Sequence, residues 1–214
     1  MAKKQIAILA LILAIVLGAC APAVTPAPAP QPSAPPQAEQ PEAAPEEVAA
    51  HDMALTVVDQ AGREVTIEGP VERIVSGFYI SSSAVIALGL EYRLVGIEAR
   101  AEARPIYALA APRLLELPNV GTAREFNLEG CIALEPDLVI LPIRQIDNAE
   151  IMTDLGIPVI LVEPETPERL MEMIYLIGRA AGVPENAQTL IDFYNSSLEE
   201  VARLTAGITD RPVV

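Results

Sequence analysis

The stretch Asn127–Leu141, NLEGCIALEPDLVIL, decides the fold. Asn127 is placed to cap a short helix through its side-chain oxygen, and Glu129 falls in the first turn, where a carboxylate complements the positive end of the helix dipole. The helix runs over Leu128 to Leu134 and Pro136 ends it. Leu138 to Leu141 is then an unbroken apolar run, the pattern of a parallel strand covered on both faces. The same alternation extends in both directions. Upstream, the strands Arg73 to Ser76 and Leu94 to Ile97 are followed by helices at Ser82 to Leu88 and Ile106 to Leu115, with a short strand near Asn119 and Val120. Downstream, a helix around Ala149 to Leu155 leads to a strand at Pro158 to Val162 and a helix at Pro167 to Ala181. This order predicts an α/β fold, a parallel sheet with helices on both faces. Ahead of it, Thr56 to Val58 and Glu64 to Ile67 flank Asp59-Gln60-Ala61-Gly62, a hairpin turn in which Gly62 is free to take positive φ. Behind it, Glu185 to about Leu204 is apolar at Ala187, Leu190, Ile191, Tyr194, Leu198 and Val201, a helical spacing.

The first fifty residues cannot contribute to a core. Lys3 and Lys4 precede an apolar run from Ile6 to Leu17 and small residues before Cys20, which reads as a secretory signal, too short to span a membrane convincingly. Leu17-Gly18-Ala19-Cys20 resembles a lipobox, implying cleavage before Cys20 and a lipid anchor on its thiol. Ala21 to Ala50 is a Pro, Ala, Gln and Glu tract that cannot repay the entropy of ordering and reads as a disordered spacer. A lipidated Cys20 leaves Cys131 as the one free thiol, read as a small buried hydrophobe. His51 is the single histidine and sits at the linker's edge, which argues against a His-based metal site or catalytic triad. The net charge of −15 argues against nucleic acid as a partner. Neither G-x-G-x-x-G after a strand nor a P-loop is present, so the chain reads as a non-enzyme without a resident cofactor or metal.

Val57 to Ser76 (VVDQAGREVTIEGPVERIVS), the Ala87-Leu88-Gly89 helix end, LVGIE at Leu94, LPNVG at Leu117, NLEGCIALEPDLVI at Asn127 and LGIPVILVE at Leu155 occur in one order and spacing. That series resembles the periplasmic binding proteins that deliver ferric siderophores, haem or cobalamin to ABC importers. The resemblance implies an exported, lipid-anchored receptor facing the periplasm or cell exterior. Its partners would be an ABC permease in the cytoplasmic membrane and a small anionic metal-chelate ligand, with a ferric siderophore as the leading candidate. It assigns Glu129 to docking on a permease arginine; the residues alone leave open that Glu129 only offsets the helix dipole. The implied organisation is a signal at 1–20, a linker at 21–50, an N-terminal lobe at 51–182, an interlobe spine helix at 183–210 and, at 211–214, the start of a second lobe that the chain lacks. Haem, cobalamin and oxyanion receptors remain alternatives on this pattern, as does a sensing or interaction lipoprotein not coupled to transport.

Ligands of open α/β sheets bind beyond the carboxyl ends of the strands. The first exit is Gly77-Phe78-Tyr79-Ile80-Ser81-Ser82-Ser83, where Tyr79, Ser81 and Ser82 are ligand candidates and the serines are expected to cap a helix aimed at an anion. The next exits carry Arg100 with Arg104, then Arg124, then Arg144. Arginine forks suit carboxylate, phosphate or other oxyanion groups, and Arg100, Arg124 and Arg144 at successive strand exits together favour an anionic ligand. For each single arginine, pairing with a nearby acid such as Glu98, Glu125 or Asp147 is an equally open reading.

Overall fold

The computed structural model describes residues 54–208. The signal at 1–20, Cys20, the linker at 21–50, His51 and the strand start at 211–214 lie outside the described residues. Four short strands form a parallel sheet: β3 (Ile74–Ser76), β4 (Leu94–Ile97), β5 (Leu138–Pro142) and β6 (Val159–Val162), in the spatial order β4-β3-β5-β6. β1 (Leu55–Val58) and β2 (Glu64–Ile67) make a separate antiparallel hairpin. The helices are α1 (Tyr79–Ala87), α2 (Pro105–Ala110), α3 (Leu128–Ile132), α4 (Ile146–Asp154), α5 (Pro167–Ala180) and α6 (Pro184–Thr205).

The apolar strand runs are buried on both faces, and the period of two sorts their side chains between two cores. Ile74, Leu138, Ile140, Ile160 and Val162 point into one, with Val85 and Leu88 around α1, Met173 and Ile177 of α5 and Ala187 of α6. Val75, Val139, Leu141, Val159 and Leu161 point into the other, with Cys131 of α3 and Ala149 and Met152 of α4. Helices therefore cover both faces, as the alternating pattern predicts. Cys131 has no exposed surface, and burial pushes its thiol up to about 12.

The outer edge of β6 is closed by the hairpin turn rather than by another strand. Gln60 donates its amide to the Leu161 carbonyl at 3.0 Å, the Leu161 amide donates to Asp59 Oδ2 at 3.1 Å, and the Glu163 amide donates to Gln60 Oε1 at 2.8 Å. Asp59 also accepts from the Ala61 and Arg63 amides and pairs with the Arg63 guanidinium at 2.8 Å. An edge that would otherwise offer bare backbone groups is thus occupied.

Several boundaries differ from the sequence-based expectation. Instead of one helix from Ile106 to Leu115 there are two pieces, α2 and a 3-10 turn at Pro112–Glu116, because Pro112 has no amide to continue the ladder and disfavours helical geometry at Ala111. The strand expected near Asn119 shrinks to one bridge, Ile97 to Asn119. α1 starts at Tyr79, three residues before the expected Ser82, and its N-cap is Phe78 with no side-chain cap. Ser81 and Ser82 do not cap it because their hydroxyls turn inward to the buried polar groups described below, and Ser83 donates to the Tyr79 carbonyl one turn back at 2.9 Å.

Candidate functional site

β3 lies between β4 and β5, so the connection from β3 leaves in one direction and that from β5 in the other. The splayed loops at such a switch point leave a crevice beyond the strand ends. A hollow of about 420 Å³ occupies that place, with Tyr79, Arg100, Arg104 and Arg144 in its lining together with Glu98 and Glu165. Gly77 brings the backbone in close at its floor, since a Cβ there would sit 2.6 Å from the Leu141 side chain.

The floor is a buried polar cluster. The Glu98 carboxylate, 3% exposed, accepts from Ser82 Oγ at 2.6 Å on one oxygen and from the Tyr107 hydroxyl at 2.8 Å on the other, and that second oxygen also pairs with Arg104 Nε at 3.4 Å. Ser81 and Ser76 hydroxyls share a bond of 2.8 Å, and Ser81 donates to the Phe78 carbonyl. Burial first, and the Glu98 charge second, hold the Tyr107 phenol above its ordinary range, so it stays a neutral donor to the carboxylate. The Arg104 guanidinium lies over the Tyr79 ring at 4.6 Å, a cation–π contact that braces both. Tyr79 itself is 46% exposed.

Arg100 takes a left-handed backbone with φ of 66°. That conformation costs a side-chain-bearing residue about 1–2 kcal/mol, and it is held here by the Ala103 amide donating to the Arg100 carbonyl at 3.0 Å and the Ala99 amide donating to Gly121 at 2.7 Å. On the facing rim, the loop Gly121–Phe126 is an ST turn in which Thr122 Oγ1 accepts from the Glu125 amide at 3.0 Å. Gln145, buried, donates to the Ala123 carbonyl at 2.9 Å and ties this rim to the exit of β5. Gly121, at φ of 86°, admits no Cβ, which would fall 2.1 Å from the Glu125 carbonyl oxygen.

Of the residues expected to meet a ligand, Tyr79, Arg100, Arg104 and Arg144 converge on the hollow. Arg124 is exposed on the rim loop next to Thr122 and Ala123, which line the hollow, but is not itself in the lining. Ser81 and Ser82 lie beneath the floor without exposed surface, so as placed they support the cleft rather than face it. The open question of acid pairing resolves residue by residue: Arg104 pairs with Glu98, while among the described residues Arg100, Arg124 and Arg144 form no ion pair. Pattern reading named Glu98 as an acid that could pair with an arginine but missed its place in the floor and the support from Tyr107 and Gln145; the only local signal for it is a carboxylate at the end of an apolar strand.

Glu129 stands exposed in the first turn of α3, whose start is closed by the Gly130 amide donating to Asn127 Oδ1 at 2.9 Å. Gly130 leaves room for this cap, since a Cβ there would lie 2.4 Å from the Asn127 amide nitrogen. Among the described residues no helix is long and apolar enough to cross a membrane, and no group of three or more His, Cys, Asp or Glu is placed to hold a metal ion.

The sequence profile described as periplasmic binding protein matches residues 74–214, about two-thirds of the chain. No curated protein sequence matches. Among solved structures, a periplasmic solute-binding protein of Veillonella parvula is 27% identical with a TM-score of 0.68, over 75% of this chain and 51% of that one. A periplasmic haem-binding protein of Vibrio cholerae is 26% identical with a TM-score of 0.52, over 65% of this chain and 51% of that one. A molybdate-binding protein from a Haemophilus influenzae ABC transporter, at 20% identity and a TM-score of 0.64 over 72% of this chain and 55% of that one, shares the fold alone. The chain thus spans about half the length of the solved structures it matches.

Proposed function

The chain belongs to the periplasmic binding protein family, whose members and solved neighbours bind solutes and are not enzymes, and from that premise we propose that it captures an anionic metal chelate, a ferric siderophore before all others, for an ABC importer. The observation that carries this reading is the convergence of Arg100, Arg104 and Arg144 with Tyr79 on one hollow at the sheet's switch point. Three guanidiniums against the two acids Glu98 and Glu165 leave a positive excess in a chain whose formal charge is −15. Guanidinium groups donate hydrogen bonds in a fork and do not ligate metal, so they suit the oxyanion groups of a ligand rather than a bare cation. The ligand would bring its own metal coordination.

On this reading residues 51–182 are the N-terminal lobe, α6 belongs to the spine between lobes, and a second lobe closes over the ligand. Glu129 docks the loaded receptor on the permease. A lipid on Cys20 and the spacer at 21–50 hold the receptor at the membrane surface, with one acyl chain insufficient and several chains firm.

Calorimetric titration of the full-length protein with ferric citrate, a ferric catecholate complex, haemin and molybdate tests the ligand class. The proposal expects a ferric chelate to bind tightest and Arg100→Ala or Arg144→Ala to weaken it about tenfold or more, as for loss of a charge-assisted hydrogen bond. Tightest binding of haemin or molybdate would move the assignment to that class, and wild-type affinity in both variants together with Arg104→Ala would refute the anionic cleft.

A further inference from the structure

The buried Glu98 carboxylate is at odds with a cleft built for anions, because a negative charge in the floor opposes the ligand that the arginines attract. Its bonds explain its presence. Glu98 accepts from Ser82 at 2.6 Å on one oxygen and from Tyr107 at 2.8 Å on the other, and that second oxygen forms an ion pair, not a hydrogen bond, with Arg104 Nε at 3.4 Å. Arg104 is thereby drawn by its Nε towards the floor while its guanidinium carbon lies over the Tyr79 ring, 4.6 Å from the ring centre. Its side chain is 27% exposed, against 4% for that of Glu98. The remaining guanidinium donors are only lightly engaged, one of them with the Arg100 carbonyl at 3.4 Å.

We propose that Glu98 is the positioning residue of this hollow: it acts through Arg104, holding the guanidinium over the Tyr79 ring so that its terminal nitrogens are presented to the ligand. The inference rests on the anionic-ligand reading of the same hollow. A long side chain such as arginine loses substantial rotamer freedom when it grips a ligand, and one already held by a buried carboxylate and an aromatic face has lost that freedom before the ligand arrives. The gain from this order outweighs the repulsion from a carboxylate that already accepts from two hydroxyls and is paired with a guanidinium. Ser82 and Tyr107 have the companion task of keeping Glu98 in place, and Tyr107 is suited to it because it remains protonated.

The two roles of a carboxylate here predict opposite signs. If Glu98 were only an opposing charge, Glu98→Gln would tighten anion binding; as a positioning residue it must weaken it. Titration of the full-length protein with ferric citrate is expected to show about tenfold weaker binding for Glu98→Gln, and little further loss when Glu98→Gln is added to Arg104→Ala, since the two residues act as one unit. Glu98→Asp keeps the charge but withdraws the carboxylate by one methylene, and is expected to weaken binding as well. A ligand-free readout accompanies these: the Arg104 Nε–H proton resonance, identified by its disappearance in Arg104→Lys, is displaced from those of the solvent-exposed arginines in the wild type by the neighbouring carboxylate and the Tyr79 ring, and moves towards them in Glu98→Gln. Tighter binding by Glu98→Gln, equal losses with and without Arg104, or an unmoved Arg104 resonance overturns the inference. Failure of the wild type to bind any probe refutes the anionic-ligand reading instead, and the Arg104 resonance still decides whether Glu98 holds the guanidinium.

Discussion

Gly121→Ala tests whether the rim of the hollow is as tightly determined as its geometry says. Gly121 has φ of 86° and Gly62, in the hairpin turn, has φ of 82°, so alanine is strained by nearly the same backbone conformation at both. That strain is about 1–2 kcal/mol, offset by about 0.4–1 kcal/mol because alanine restricts the unfolded chain more than glycine does. The two positions differ in space. A Cβ at Gly62 meets nothing within 4 Å, whereas at Gly121 it falls 2.1 Å from the Glu125 carbonyl oxygen and 3.0 Å from the Asn127 amide nitrogen. Both obstacles are backbone. Relief requires the turn to open, which strains the Thr122 amide bond to Glu125 at 2.9 Å and the Asn127 amide bond to Val120 at 2.9 Å, each worth about 1 kcal/mol. Gly62→Ala should therefore cost at most about 1.6 kcal/mol, and Gly121→Ala about 3 kcal/mol, with overpacking terms of about 1–3 kcal/mol added to the strain. At about 2–4 °C per kcal/mol for a chain of this size, the Tm values separate by several degrees. Urea unfolding followed by far-ultraviolet circular dichroism measures both. Costs for the two variants within about 0.5 kcal/mol of each other would refute the reasoning, because strain alone would then account for Gly121.

Three further outcomes are expected. Glu129→Ala in the complete protein should leave ligand affinity unchanged and reduce uptake through the permease, and unchanged uptake removes the docking role. Asp59→Ala strips the partner from Arg63 and the acceptor from the Leu161 amide, so urea unfolding should register a loss of about 3 kcal/mol, the scale for breaking a largely buried pair on one side; a loss below about 1 kcal/mol contradicts the clasp on β6. Because burial keeps Cys131 protonated up to about 12 while the unfolded thiol ionises near 9, the unfolded state binds fewer protons between these values and stability falls as pH rises through that window, by at most about 1.4 kcal/mol per pH unit. Urea midpoints at pH 8 and pH 10.5 check it, and a Cys131→Ala variant with an undiminished alkaline slope would assign the loss to other groups, Tyr107 first among them.

Much of the fold was legible because its signals are local. The apolar run Leu138–Leu141, the cap at Asn127 and the helical spacing from Ala187 to Val201 each read correctly within a few residues of themselves. Errors fell where a neighbour in space decides. Ser81 and Ser82 look like helix caps in the chain but are drawn inward by Ser76, the Phe78 carbonyl and Glu98, a residue sixteen positions away. Asn119 looks like a strand but has only Ile97 to pair with.

The sequence by itself determined the alternation of strands and helices and the burial of the strands on both faces, because periods of two and 3.6 residues are set by each segment's own geometry. It also placed arginines after successive strands. Which of them meet was decided only by the strand order β4-β3-β5-β6, which depends on how whole strands and helices pack and leaves no local mark. That order put the exits of β3, β4 and β5 side by side, gathered Tyr79, Arg100, Arg104 and Arg144 around one hollow, left Arg124 on the rim, and set Glu98 beneath them, where a carboxylate persists only because Ser82, Tyr107 and Arg104 surround it.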